Sequence, residues 1–239
     1  MITLHAMGSP NVLKVVLALE EMELPYRVQR IDLVEGEQHQ AAFRALNPNG
    51  KVPVIEDDEA AGQDRAVVFE SGAILLYLAE KSQRFWPPAG PGRWEALEWL
   101  MFQMSGLGPI FGHTIHLTSF ARAEAYACDR FLRESARLLD VMEARLAQTP
   151  YFAGEVYSIA DMAVFPWIGT FARFFPAALE RPALAAWQGV VARRPAAERM
   201  AKVAKELGDQ DRRGFKAAAP EQLDRYFGRI GDKLSVPSR

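Results

Sequence analysis

Cysteine is nearly absent from this chain of 239 residues: Cys128 stands alone, which excludes an intramolecular disulfide framework and suits a reducing compartment. Histidine is scarce too. His5, His39, His113 and His116 show no metal-ligand spacing with carboxylates or with the cysteine, so no metal is expected. No sign of charge dominates, since 28 Lys and Arg against 30 Asp and Glu leave a net of −2. That balance supplies no global basic field, and no nucleic acid partner is expected. No run approaches the roughly 20 apolar residues of a membrane span, and no basic, then apolar, leader precedes the first strand. No membrane partner is expected, and cytoplasmic is the default localisation. What is present is ordinary for a globular enzyme: 49% hydrophobic and 24% charged residues, in a length that accommodates two small domains or one larger one.

The first third alternates between periods of two and 3.6. Ile2 to Ala6 reads as a half-buried strand. Val12, Val15, Val16, Leu19 and Met22 recur at helical spacing, with Lys14, Glu20, Glu21 and Glu23 on the opposite, polar side. Leu24-Pro25 stops that helix, and Tyr26 to Leu33 reads as a second strand. A short helix is expected within Gln38 to Leu46, then a turn at Asn47-Pro48-Asn49-Gly50. Two strands, Val52 to Ile55 and Ala66 to Phe69, flank an acidic tip from Glu56 to Glu59 with its Gly62, and a helix follows from Ser71 to Lys81. The order βαβ, then αββα, predicts a thioredoxin-like domain over 1–86 with a four-stranded mixed sheet.

Phe85 to Gly92, with three prolines and two glycines, cannot continue a helix and marks a linker at 87–92. Beyond it the pattern is all-helical over 93–207. The expected helices are Arg93 to His116, bent at Gly106-Leu107-Gly108-Pro109, then Ala121 to Gln148, Ile159 to Phe174, Arg181 to Arg194 and Ala196 to Leu207. Ser158-Ile159-Ala160-Asp161 has the spacing of a capping box. Residues 208–239 read as a partly ordered tail with one apolar cluster at Leu223, Tyr226 and Phe227.

The chemistry-bearing text sits in the first domain. Ser9-Pro10-Asn11 lies where the first strand gives way to a helix, the place where redox domains of this layout carry a cysteine made reactive by the helix's positive end. A hydroxyl and an amide stand there instead, and either one alone also serves as a plain helix cap. Lys51-Val52-Pro53 at a strand head fits a trans edge-strand proline when taken alone. Within this layout a cis turn is expected, leaving the Val52 N–H and C=O free to pair with an extended peptide. Ser71 is placed as an N-cap over free N–H groups that suit a carboxylate, with Glu70 beside it as counter-charge for an ammonium. A small γ-glutamyl thiol peptide, glutathione, would satisfy all three elements and bring the missing thiol. Ser9 and Asn11 would then favour its thiolate. Cys128 is expected to be buried and inert, and His113 and His116 to form a polar rim of the cleft or to touch a second substrate.

Over roughly residues 1–207 the chain resembles the cytosolic glutathione transferases, in most detail the bacterial Nu class of glutathione-dependent disulfide-bond reductases. The shared text is Ser9-Pro10-Asn11, Asn47 to Pro53, Phe69 to Lys81, Gly106-Leu107-Gly108-Pro109 and Glu155 to Asp161. Ser9 where the family often has Thr, and Val12 where it usually has Gly, are departures. The resemblance implies a homodimer, a glutathione contact at Gln38, and an Arg130 that reaches glutathione across the dimer interface. The expected activity is thiol–disulfide exchange, with Asn11 and Ser9 as catalytic residues and Gln38, Lys51, Val52, Pro53, Glu70, Ser71 and Arg130 binding glutathione as cosubstrate. The partner is a small disulfide; alternatives are an electrophile, in a conjugating transferase, or no second substrate, in a non-catalytic glutathione-binding protein.

Overall fold

The structure is a computed structural model, and it describes residues 1–60, 65–121 and 124–230. Gly62 and the chain's last nine positions lie outside the described residues. β1 (Ile2–Ala6) is buried along its whole length and pairs on one side with β2 (Tyr26–Arg30) in parallel. The crossover between them is α1 (Pro10–Glu21), opened by Pro10 at its first position and by the Ser9 hydroxyl, which accepts from the Val12 N–H at 3.3 Å. A 3₁₀ turn (Glu37–His39) and α2 (Ala41–Leu46) lead to β3 (Val54–Asp57), antiparallel to β1, and β4 (Ala66–Phe69), antiparallel to β3. The sheet order is β2-β1-β3-β4, and α3 (Ser71–Ser82) follows β4. This is the expected thioredoxin-like layout, with β3 beginning two residues later than the sequence suggests.

The second half is helical. α4 (Pro91–Phe102) starts inside the expected linker, because Pro91 serves as a first helical residue. A π turn (Gln103–Leu107) then inserts one residue before α5 (Gly108–Ser119), at the Gly-Leu-Gly-Pro text expected to bend this stretch. α6 (Ala125–Leu146), α7 (Ile159–Phe174) and α8 (Pro182–Ala192) follow, with a 3₁₀ turn (Pro176–Glu180) between the last two. α9 (Pro195–Ala217) runs ten residues past its expected end, and α10 (Pro220–Tyr226) forms within the supposed tail. The apolar cluster of that tail packs inward: Phe227 stacks on Phe120 at 5.5 Å and lies 6.4 Å from Phe215 on α9.

One continuous core runs through both halves, because α1 packs against α3 on one side and against α7 and α9 on the other. This corrects the expected polar side of α1. Lys14 is fully buried and Glu21 nearly so, while Glu23 alone of the four is exposed. Glu21 is held by a two-pronged ion pair from Arg194, whose guanidinium lies 4.0 Å over the Tyr157 ring.

The expected capping box at α7 is present. The fully buried Asp161 carboxylate accepts from the Ser158 and Phe152 N–H groups at 3.0 and 3.1 Å and from the Trp187 indole at 2.9 Å. Burial outweighs these bonds and pushes its pKa up to about 6. Asp161→Ala should therefore cost about 3 kcal/mol or more in urea unfolding, since three buried donors lose their acceptor. The folded carboxyl holds its proton more tightly than the unfolded one. Stability carried by this proton is full below pH 3.8 and is lost as the pH rises through about 6, a slope that Asp161→Asn should flatten.

Candidate active site

One loop, the first turns of two helices and the π turn before α5 converge on a cleft of about 310 Å³ between the sheet domain and the helices. The first wall comes from the Asn47–Pro53 segment. The buried Asn47 side chain donates to the Lys51 carbonyl at 2.7 Å and accepts from the Asn49 N–H at 2.9 Å, while Gly50 takes φ +65°, where an L side chain is strained. This knot presents Lys51, Val52 and Pro53 to the cleft, across a cis Val52–Pro53 bond. The sheet ladder starts only at Val54, so the Val52 N–H and C=O take no part in it.

The second wall is the start of α3. Here the sequence reading needs correction, because Glu70, not Ser71, is the N-cap residue. Glu70 holds φ +67°, a conformation that costs a side-chain-bearing residue on the order of 1–3 kcal/mol. Its carboxylate lines the cleft and is open to solvent, and Ser71 is the buried first residue of the helix. The first helical bond runs from the Ile74 N–H to the Glu70 C=O, which leaves the preceding N–H groups for an anion.

The third wall is Asn11 in the first turn of α1, facing Gln103, Met104, Gly108 and Pro109 of the π turn and α5. Sequence reasoning missed the residue that fixes Asn11. Trp167 on α7 donates its indole N–H to the Asn11 side-chain oxygen at 3.1 Å. An indole only donates, so this bond settles which end of the amide is which and, among the described residues, leaves both N–H donors of Asn11 without a partner. Trp167 itself lines the cleft, and 156 positions separate it from Asn11, beyond any local pattern.

Asn11, Lys51, Val52, Pro53, Glu70 and Ser71 are thus brought together, whereas Ser9, Gln38 and Arg130 do not line this cleft. The Ser9 hydroxyl caps α1 and borders a different groove, between α7 and α9. Gln38 donates back to the Leu33 carbonyl at 3.2 Å. Arg130 lies on α6 in a separate surface depression with Tyr126 and Arg133. His113 and His116 are not rim residues of the cleft: their rings face Phe131 and Phe227. Cys128 is half-buried on α6, away from the cleft, with its thiol 3.8 Å from the Leu117 carbonyl.

A carboxylate, three leftover helix N–H groups, an unladdered backbone at Val52 and an anchored amide donor together suit a zwitterionic peptide that carries an anionic sulfur. Comparison with known proteins agrees in kind. Residues 8–81 match the N-terminal domain, and residues 107–195 the C-terminal domain, of the glutathione S-transferases. The chain is 40% identical to the disulfide-bond oxidoreductase YfcG of Escherichia coli over 212 residues, covering 88% of this chain and 98% of that protein. Among solved structures, a glutathione transferase family member from Pseudomonas fluorescens with two glutathiones bound superposes with a TM-score of 0.79 at 36% identity, covering 83% and 91% of the two chains. One from Pseudomonas putida, with a glutathione disulfide bound, gives 0.78 at 34%, covering 83% and 90%.

Trp167→Phe keeps an aromatic ring in place and removes the indole donor. The Asn11 amide should then rotate between its two orientations. Turnover should fall about tenfold with little change in substrate KM, which steady-state kinetics would read directly.

Proposed function

This chain belongs to the glutathione S-transferase family, and from that premise we propose that it is a glutathione-dependent disulfide-bond oxidoreductase of the Nu type. The observation that carries the reading is the anchored Asn11 amide in a cleft whose lining, among the described residues, contains neither cysteine nor tyrosine. The thiol must come with the ligand, and the protein must stabilise it as thiolate without a covalent or phenolic partner.

Glutathione lies extended along Val52, with its γ-glutamyl ammonium on Glu70 and its carboxylate on the N–H groups at the start of α3. Its sulfur faces the Asn11 N–H donors and the positive end of α1, both of which favour thiolate. That thiolate attacks one sulfur of a substrate disulfide. The new S–S bond joins glutathione to the substrate, and the other substrate sulfur leaves as a thiolate that takes up a proton. A second glutathione then attacks the mixed disulfide, releasing the reduced substrate and glutathione disulfide. Two glutathiones are oxidised for each disulfide reduced. An amide donor serves the sulfur equally as nucleophile and as leaving group. The second glutathionyl unit extends toward the helical side of the cleft, lined by Met104, Gly108 and Pro109.

The protein works as a cytoplasmic homodimer on this reading. Among the described residues no helix is long and apolar enough to cross a membrane. Val67 and Phe69 on edge strand β4, and Trp94 and Met101 on α4, are exposed apolar side chains that a second copy would cover. Arg130, away from its own cleft, is offered to the glutathione of the partner.

Hydroxyethyl disulfide should be turned over faster than chlorodinitrobenzene, and Asn11→Ala should lose about a hundredfold in the reductase rate. Much faster conjugation of the aryl chloride, or normal disulfide reduction by Asn11→Ala, would replace this reading with ordinary transferase chemistry. Cys128→Ala should retain the parental rate, and a near-complete loss in the folded variant would place a protein thiol in the reaction.

A further inference from the structure

Directly behind the cleft floor lies a charge without a contacting counter-ion. Lys14 is one turn along α1 from Asn11 and is fully buried. Its ammonium donates to the Gln103 side-chain oxygen at 2.5 Å and lies 3.2 Å from the Met104 sulfur. Both partners are neutral, and both line the cleft. Among the described residues no carboxylate forms an ion pair with Lys14; Glu70, which also lines the cleft, acts on it through its field alone. A buried cation in contact only with neutral acceptors is costly unless an anion completes it.

We propose that Lys14 is a positioning residue of the glutathione site: it fixes Gln103 and Met104 from behind and supplies the positive charge against which the bound thiolate is stabilised. The inference rests on the glutathione reading above. The missing counter-ion is the ligand's sulfur, which becomes anionic just in front of the two side chains that Lys14 holds. Met104 is constrained from the opposite side as well. A Cβ at Gly72 would come within 3.0 Å of its side chain, so the residue is clamped between α3 and the ammonium. Burial lowers the Lys14 pKa to about 7, against the raising effect of Glu70, so its charge is titratable in the working range of the enzyme. The cation is present below that pH and is lost as the pH rises through it.

The test compares the full-length protein with its Lys14→Met variant, which keeps the length of the side chain and removes the charge. The bound thiol is titrated by ultraviolet thiolate absorbance, and the affinity for S-methylglutathione, which has no ionisable sulfur, is measured by calorimetry. Lys14→Met should bind S-methylglutathione within about twofold of the parent. Its bound thiol should titrate about one unit higher, with about tenfold less thiolate below pH 7, and the difference should shrink above that pH. An unchanged thiol titration in the folded variant overturns the assignment, as does an equal loss of S-methylglutathione affinity, which would make Lys14 a purely structural prop. Lys14→Gln, which still donates to Gln103, is the second variant should Lys14→Met not fold, and the same two readouts decide. A parent protein with no bound thiolate would overturn the glutathione reading itself, and this assignment with it.

Discussion

α1 has no solvent face. A crossover helix in a small βαβ unit ordinarily covers a sheet on one side and meets water on the other. Here α7 and α9 close over the second side, so the one helix belongs to the cores of both halves. The rest of the site depends on that enclosure. It lets Trp167 on α7 reach Asn11 in the first turn, and brings Gln103 and Met104 onto Lys14 one turn later. It also forces Glu21 at the far end to take a guanidinium partner from beyond α8. The positive end of α1 is thus presented to the cleft in a fixed orientation rather than at a mobile domain boundary.

The carboxyl-terminal part of α9 extends the same logic to the loop before α1. Its Asp211 accepts from the Gly8 N–H at 2.8 Å and reaches Arg30 of β2 at 3.4 Å. A Cβ at Gly8 would sit 2.5 Å from that carboxylate, so glycine is what permits the approach. The Gly8-Ser9 loop is therefore tied by a residue that the sequence pattern leaves in a tail. Chain positions more than 200 apart fix the backbone from which Asn11 projects.

Local periodicity made the succession of strands, most helices and the capping box legible, because each is specified by residues within a turn or a strand of one another. The cleft's first two walls were legible for the same reason: Asn47 to Pro53 and Glu70-Ser71 are contiguous text. The burial of Lys14 was not, since a lysine on the polar side of an amphipathic helix looks solvated until a second layer is placed on it. Trp167 gave no signal at all, being one of four aromatics in an apolar helix. The extension of α9 was hidden by its own composition. Ala204, Leu207, Asp211 and Phe215 keep helical spacing, but an inward-facing aspartate and two glycines read as the end of a helix. Ser9 and Asn11 looked equivalent on paper, and only the structure separates a helix cap from an amide that faces the cleft.

The central claim is that the Asn11 amide, oriented by Trp167, is the donor to a ligand-borne sulfur. A crystal structure of the protein soaked with glutathione disulfide tests it most directly. The account predicts one glutathionyl unit along Val52, Glu70 and Ser71, with its sulfur facing the Asn11 amide nitrogen while the indole of Trp167 still donates to the Asn11 oxygen. A sulfur directed instead at the Ser9 hydroxyl, or an Asn11 amide turned away from the ligand, would contradict it.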